Sequence, residues 1–310
     1  MRNKILLGIV VLLVPFVVIS FKKDKTNFYL GEKKENNIIV RVKDSSTKEI
    51  NEMDLEEYLI GVVAAEMPAS FHDEALKAQA VAARSYALYK INNSKQDYDL
   101  VTDVTNQSYI TKSEMKKKWN EAYDKYYYKI FRAVNDTKNE VIIYNDEVIE
   151  AFYFSMSNGY TEEAGLVFSE NEPYLVSVKS KWDNENLNGF VKNQVFGKNE
   201  FCNKLNISCE TLNIDNIERT SSNRVNKITV NNMVFSGTEV RKKLNLRSTD
   251  FDITEEVDNI IITTYGYGHG VGMNQYGANG MAKEGYKYQD ILKHYYVGTE
   301  ISKIWMYKIR

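Results

Sequence analysis

The sequence predicts an α+β fold in which mixed sheets surround a helical hairpin. Two neighbouring segments have the apolar periodicity of helices: DLEEYLIGVVAAEM from Asp54 and the alanine-rich HDEALKAQAVAARSYALYKI from His72. Strand candidates rich in Ile and Val lie on both sides of this pair. Strands and helices do not alternate regularly along the chain, so a doubly wound parallel sheet is not expected.

The chain begins with an apolar run from Ile5 to Phe21, with lysines and an arginine on both sides. Its length is close to the minimum that spans a bilayer, and no A-x-A cleavage site follows. These features favour an uncleaved single-pass anchor over a removed signal peptide. We predict an anchor at residues 1–25, a polar linker at 26–36 and one extracytoplasmic domain at 37–310.

Charge excludes one broad class of partner. The 310 residues contain 40 Lys and Arg against 42 Asp and Glu, a formal net charge of -2. This balance gives no general attraction to nucleic acid, and no nucleic-acid partner is expected.

The first helix should begin at Asp54, because Glu57 three residues later completes a capping-box pattern, and should end before Pro68. Glu66 lies four residues after Val62 on the apolar stripe of this helix. A short turn to the second helix should bring Glu66 near Lys77 and Arg84.

The remaining elements follow from local patterns. Strands are predicted at 37–44, at PYLVSVKS and at IITTYGYG, and hairpins at 140–154 and in KITVNNMVFSG. Helices are predicted at 113–136, at 276–283 and in YQDILKHYYVG, where Gly298 is placed to end the helix.

Glu66 is the first candidate for chemistry. A helical glutamate usually reaches solvent or forms an ion pair, here with Lys77 or Arg84. On an apolar stripe, however, desolvation raises the pKa of a carboxyl, and a carboxyl that is still protonated near neutral pH can act as a general acid. Both interpretations stay open at this point.

The segment GYGHGVGMNQYGANG at 266–280 holds six of the 16 glycines. It lacks the G-K-[ST] of a phosphate-binding loop, and Val271 and Met273 break the dinucleotide pattern. The glycines would let the backbone turn tightly beside a ligand, with His269 and Gln275 as hydrogen-bonding side chains. The alternative is a flexible turn with an incidental histidine.

Cysteines and histidines give little support for a metal. Cys202 and Cys209 could pair in an exported protein, but sequence does not decide this. No histidine lies near them, so a zinc site would lack ligands. None of the three histidines of the chain belongs to an H-E-x-x-H motif. We predict no metal and no cofactor.

Three stretches resemble the stage II sporulation protein D family, which includes the relatives called amidase enhancers. They are LIGVVAAEMPASFHDEALKAQAVAARSYAL, AFYFSMSNGYTEEAGLVF with EPYLVSV, and GYGHGVGMNQYGANGMAKEGYKYQDILKHYYVGTEI. Together they span most of the chain from Asp54 to Ile304. The resemblance implies a membrane-anchored lytic transglycosylase that acts on peptidoglycan during engulfment of the forespore.

The resemblance also implies roles for residues. Glu66 would be the catalytic acid, and Lys77, Arg84 and Tyr174 would belong to the functional groove. Gln79, His269 and Gln275 complete the predicted substrate-binding set. A lytic transglycosylase needs only one carboxyl, because the C6 hydroxyl of the sugar is the nucleophile, whereas ordinary glycosidases use two.

One departure from the family concerns the segment where some relatives bind zinc. The family commonly has F-H-S-x-S-G-G there, but this chain has Phe154 in place of the histidine, which supports the expectation of no metal. Two other functions remain open. One is a glycan-binding activator of a cell-wall amidase, and the other is an exported scaffold. Partners would be peptidoglycan strands, an amidase or endopeptidase and other engulfment proteins.

Overall fold

A computed structural model describes residues 37–103, 106–168, 171–183 and 186–304. The predicted anchor and linker at 1–36 lie outside this part of the chain. Within it, no helix has both the length and the apolar character that crossing a membrane requires. The α+β class is confirmed, with helices and several small sheets in one chain.

The helices and strands have the following bounds. The helices are α1 (Leu55–Glu66), α2 (Asp73–Asn93), α3 (Lys112–Trp119), α4 (Tyr123–Asp136), α5 (Lys198–Leu205), α6 (Gly237–Leu244), α7 (Gln275–Lys283) and α8 (Tyr288–Tyr295). The strands are β1 (Ile39–Lys43), β2 (Ile50–Asp54), β3 (Leu100–Val101), β4 (Glu140–Tyr144), β5 (Glu147–Val148), β6 (Tyr153–Phe154), β7 (Val191–Gly197), β8 (Ile214–Arg219), β9 (Val225–Val230), β10 (Met233–Ser236), β11 (Phe251–Glu255), β12 (Asn259–Tyr265), β13 (Met273–Asn274) and β14 (Glu300–Lys303).

The hairpin of α1 and α2 lies at the centre of the larger core, and its residues are buried on nearly every side. The many alanines of α2 let α1, α4, α7, α8 and β4 pack closely around it. Position 61 of α1 must be glycine for a similar reason, because a Cβ there would lie 2.1 Å from the ring of Tyr109. This contact fixes the loop that follows β3 against α1.

The predicted start of α1 is half right. The Asp54 carboxylate accepts hydrogen bonds from the backbone N–H groups of Glu56 and Glu57, so it caps the helix. Glu57 does not complete the capping box, because its side chain pairs with Lys112 on α3. The helical structure predicted at 113–136 is confirmed, with an interruption where Asn120 adopts φ 47° and a short 3₁₀ turn separates α3 from α4.

The sheets are small and mostly antiparallel. Their strand orders are β2-β1-β3, β14-β4-β5, β13-β6, β11-β12-β7 and β10-β9-β8. Both predicted hairpin turns are confirmed, at Asn145–Asp146 and at Asn231–Asn232, where all four residues have positive φ. Asn and Asp tolerate this conformation better than other residues with a side chain.

The strand predicted in PYLVSVKS is wrong. Within this segment only Lys179 forms a β-bridge, to Tyr160. Its other backbone bonds go to loop residues and to the hydroxyl of Thr161, which accepts from the Val178 N–H at 2.8 Å. The Ile and Val pattern was present, but no regular strand lies beside it to continue a ladder.

A second core lies within residues 196–262, in the stretch between Tyr174 and the glycine-rich segment. It combines α5 and α6 with β7 to β12, and its largest buried side chains are Phe201 and Phe251. Cys202 and Cys209 form a disulfide here, which settles the pairing that sequence left open. The candidate site described next belongs to the larger core.

Candidate functional site

Glu66 is the last residue of α1, and the chain turns away at Met67 and Pro68. Its Oε1 accepts the backbone N–H of Ser108 at 2.7 Å. Burial raises the pKa of the Glu66 carboxyl, while hydrogen bonds from Ser108 and Gln275 act in the opposite direction. The net direction is upward, so the carboxyl keeps its proton to a higher pH than an ordinary glutamate.

Two amide side chains complete the immediate surroundings of Glu66. Gln275, the first residue of α7, bonds to the Glu66 carboxyl and donates from Nε2 to Oε1 of Gln79 at 3.3 Å. Gln79 lies on α2 and is fully buried. Its Nε2 has no hydrogen-bond partner among the described residues. The structure therefore brings together three predicted site residues from α1, α2 and the glycine-rich segment.

A buried polar cluster next to Glu66 was missed by sequence reasoning. The Gln107 amide accepts from the hydroxyl of Tyr58 at 3.2 Å and donates to the hydroxyl of Tyr153 at 3.0 Å. Burial raises the pKa of both tyrosines, and the Glu66 charge adds to the effect. Tyr58 looked like an apolar stripe residue, and Gln107 lies in a loop without periodicity, so no sequence signal pointed to either.

Lys77 and Arg84 lie elsewhere, which corrects the prediction that they flank Glu66. Lys77 pairs with Asp136 of α4 at 3.0 Å. Arg84 is completely buried and pairs with Glu56 at the beginning of α1. Arg84 follows Gln79 by five residues, which is about 140° around the helix. Because other carboxylates hold both cations, burial determines the direction of the Glu66 pKa shift.

Tyr174 is also placed apart from Glu66. It is buried, its ring lies 5.5 Å from that of Tyr144, and its hydroxyl accepts the backbone N–H of Glu150 at 3.3 Å. These contacts tie the loop before the second core to β4 and the segment after β5. The structure therefore gives Tyr174 a packing role and does not bring it to the Glu66 carboxyl.

His269 lies against three phenylalanine rings and not beside Glu66. Its ring centroid is 6.0 Å from Phe152, 5.9 Å from Phe154 and 5.5 Å from Phe168. Burial, with the charge of Arg241, lowers the pKa of His269 to about 3, so its ring is neutral at physiological pH. His269 therefore packs in an aromatic pocket, and it is not among the groups that act on the Glu66 carboxyl.

Asp183 is a second buried carboxyl that sequence reasoning missed. It accepts the Ser157 backbone N–H at 2.5 Å and the Asn274 amide at 2.7 Å. Burial raises the pKa of Asp183 to about 7. It thus links the loop at 155–159 to the residue before Gln275. Among the described residues, no group of three His, Cys, Asp or Glu side chains could hold a metal ion.

Comparison with known proteins identifies the family. The family described as Stage II sporulation protein matches residues 43–144, which include α1 to α4 and Glu66. Stage II sporulation protein D of Bacillus subtilis (strain 168) is 41% identical over 277 residues, covering 87% of this chain and 80% of that protein.

A protein of the same name from Bacillus amyloliquefaciens is also 41% identical, over 279 residues, with 87% of this chain and 80% of that protein covered. A further relative from Bacillus subtilis (strain 168), named Amidase enhancer, is 30% identical over 308 residues, covering 79% of this chain and 40% of that protein. The chain therefore belongs to the stage II sporulation protein D family.

Proposed function

We propose that this protein is a peptidoglycan lytic transglycosylase that acts in cell-wall remodelling during sporulation. The observation that carries the proposal is the environment of Glu66. Its carboxyl is held by uncharged donors, and burial raises its pKa. A carboxyl that keeps its proton in this way can act as a general acid.

In the proposed reaction Glu66 acts twice. Its proton passes to the oxygen of the MurNAc-GlcNAc β-1,4 bond as that bond breaks, and the GlcNAc leaves as an alcohol. The Glu66 carboxylate then accepts the proton of the MurNAc C6 hydroxyl while the C6 oxygen bonds to C1. The product is a 1,6-anhydroMurNAc end, no water is consumed, and Glu66 regains its proton.

The neighbours of Glu66 have defined roles in this scheme. The Ser108 N–H and the Gln275 amide orient the carboxyl, and both bonds strengthen once it is ionised. Gln79 holds Gln275 in place through its side-chain oxygen. Because Gln79 is fully buried, its effect on the substrate passes through Gln275.

A second function is favoured by the name of one relative, the amidase enhancer. In that case the same site would bind a glycan strand and activate a cell-wall amidase without cutting the strand itself. Both functions place the domain outside the cytoplasm with an N-terminal anchor. The Cys202–Cys209 disulfide supports this location, because such bonds persist in oxidising compartments.

The test uses the full chain in detergent with purified sacculi, either intact or stripped of stem peptides. Mass spectrometry reads the new glycan ends. We expect anhydroMurNAc ends from the wild type and a loss of about 10²- to 10⁴-fold in Glu66→Gln, as for removal of a general acid. The matched control is Glu57→Gln, an exposed glutamate of the same helix, which should keep full activity.

Other outcomes discriminate between the alternatives. Reducing ends would show a hydrolase that uses water. No product from a folded protein that still binds glycan, together with faster peptide release by an added amidase, would support the activator. Equal activity in Glu66→Gln and wild type would contradict the role assigned to Glu66.

A further inference from the structure

The second core contributes three arginines to the outer side of the glycine-rich segment. They are Arg224 on the turn into β9, Arg241 on α6 and Arg247 in the loop after α6. Arg241 lies close enough to Arg224 and His269 to lower the pKa of both, although burial is the larger cause for each. Like charges thus converge here without an obvious structural reason.

The three arginines lack carboxylate partners in the part of the chain that the structure describes, although Arg224 donates from Nη1 to the Tyr160 carbonyl at 3.0 Å and to the Ser222 hydroxyl at 2.9 Å. Arg41, Arg84 and Arg219 each form an ion pair with a carboxylate, whereas Arg224, Arg241 and Arg247 form none among the described residues. The Nε atoms of Arg224 and Arg247 are buried without a hydrogen-bond partner. Unpaired buried donors of this kind are costly and uncommon in native proteins.

The nearest carboxylates are already occupied. Glu162 accepts from the hydroxyls of Thr220 and Ser222, at 2.6 Å each. Asp250 accepts from Arg219 at 3.1 Å and from the Asn158 amide at 2.8 Å. Both carboxylates lie near enough to raise the pKa of the Arg224 guanidinium, although neither forms an ion pair with it. Among the described residues no carboxylate pairs with Arg241 or Arg247, so the charge of these two arginines is left for an outside anion to balance.

Tyr267 marks where such an anion would enter. This tyrosine is 45% exposed, and the guanidinium of Arg247 stacks over its ring at 4.0 Å. Arg241 is anchored by its Nε to the carbonyl of Leu246, the residue before Arg247, at 3.3 Å. Both arginines are partly exposed, and Arg241 also lies near enough to Tyr267 for that side chain to act on the pKa of its guanidinium, although burial is the larger cause and lowers it. Arg224 lies beneath them against Gly270.

We propose that Arg241 and Arg247, with Arg224 behind them, form a binding site for an oxyanion, either a carboxylate or a phosphate group. A guanidinium offers two parallel N–H donors that match the paired oxygens of both groups. None of the three arginines is among the groups that act on the Glu66 carboxyl, so this site is distinct from Glu66. It does not depend on the proposed transglycosylase activity. In a cell wall the anion could be a peptide C-terminus or a phosphodiester polymer.

Titration calorimetry of the full chain in detergent tests the site. The probes are inorganic phosphate and N-acetylalanine, used separately at constant ionic strength with chloride as the reference anion. We expect saturable binding of at least one probe at one site per chain. Binding of phosphate alone indicates a phosphodiester source, binding of N-acetylalanine alone indicates a peptide carboxylate, and either result supports the site.

Variants locate the site. Arg247→Lys and Arg241→Lys keep the charge but lose the paired donors, and each should weaken binding by about tenfold. The matched control is Lys242→Ala, which removes an exposed cation next to Arg241 and should change affinity less than twofold. Equal weakening in Lys242→Ala would mean attraction by general charge and would overturn the proposal.

A second measurement does not require a stable variant. In wild-type protein labelled with ¹⁵N-arginine, the Nε–H resonances of Arg241 and Arg247 should shift with the calorimetric affinity. The Arg84 resonance, buried in its ion pair, should stay unchanged. No saturable binding of either probe, or binding that leaves both resonances in place, would refute the site.

Discussion

Arg84 provides the sharpest test of what the structure corrects. Its guanidinium is completely buried and forms two bonds to Glu56, at 2.9 and 2.6 Å, and bonds to the carbonyls of Glu140 and Val134 at 3.1 and 3.2 Å. Arg84→Ala would remove the donor to all four. Breaking one side of a buried pair costs about 3 to 5 kcal/mol. We therefore expect a loss of this size in the free energy of unfolding.

The matched control is Lys77→Ala, which removes the other cation of α2 that sequence placed near Glu66. The Lys77–Asp136 pair is partly exposed, so its loss should cost about 1 kcal/mol or less. Urea unfolding followed by far-UV circular dichroism measures both variants. If Arg84→Ala lost less than about 1 kcal/mol and yet failed to release anhydro ends, Arg84 would act on substrate and its assignment to the framework would be wrong.

Three further predictions concern other buried groups. Burial raises the pKa of Asp183 from 3.8 to about 7, so the native state keeps a proton that the unfolded chain releases, and stability falls as the pH rises through that window. The fall is on the order of 4 kcal/mol. Asp183→Asn should flatten this fall in melting curves recorded across the pH window from 3.8 to about 7, and an unchanged slope would refute the assignment. Replacing Cys202 and Cys209 by alanine opens a short loop and should lower the free energy of unfolding by about 2.5 kcal/mol, measured by thermal unfolding. Rapid alkylation of both thiols in the untreated native protein would contradict the disulfide. Tyr174→Phe should lower the free energy of unfolding by about 1 kcal/mol and leave glycan cleavage unchanged. A loss of cleavage without a loss of stability would instead assign Tyr174 to the substrate site.

Local signals predicted the elements that depend on neighbouring residues. The cap at Asp54, the stop at Pro68 and the two asparagine-rich turns are set within a few positions, and the structure has all of them. The missing strand in PYLVSVKS depends on what lies alongside this segment in space. A periodic pattern cannot report the presence or absence of such a neighbour.

The candidate site likewise combines residues that local sequence predicts with residues that depend on partners distant in sequence. Glu66 stood out because a carboxyl on an apolar stripe is unusual, and the structure gives it a raised pKa. Gln79 and Gln275 were also predicted; Gln275 bonds to the Glu66 carboxyl, and Gln79 bonds to Gln275. Gln107 and Asp183 were missed because each becomes significant only through partners far away in sequence. Their partners are Tyr58 and Tyr153 for Gln107, and Ser157 and Asn274 for Asp183.

The directions in which side chains project around α2 explain why Lys77 and Arg84 do not reach Glu66. Had Lys77 and Arg84 faced Glu66, their charge would have lowered the pKa of its carboxyl, against the requirement of a general acid. The helix instead directs Arg84 to Glu56 and Lys77 to Asp136, and presents the uncharged amide of Gln79 to Gln275. Replacing Gln79 by lysine would reverse this arrangement. If Glu66 is the general acid, the added charge lowers its pKa, and the loss of activity at high pH begins at a lower pH in Gln79→Lys than in the wild type. The pH profile of glycan cleavage measures this shift. Lys77→Gln is the control and should leave the high-pH side of the profile unchanged.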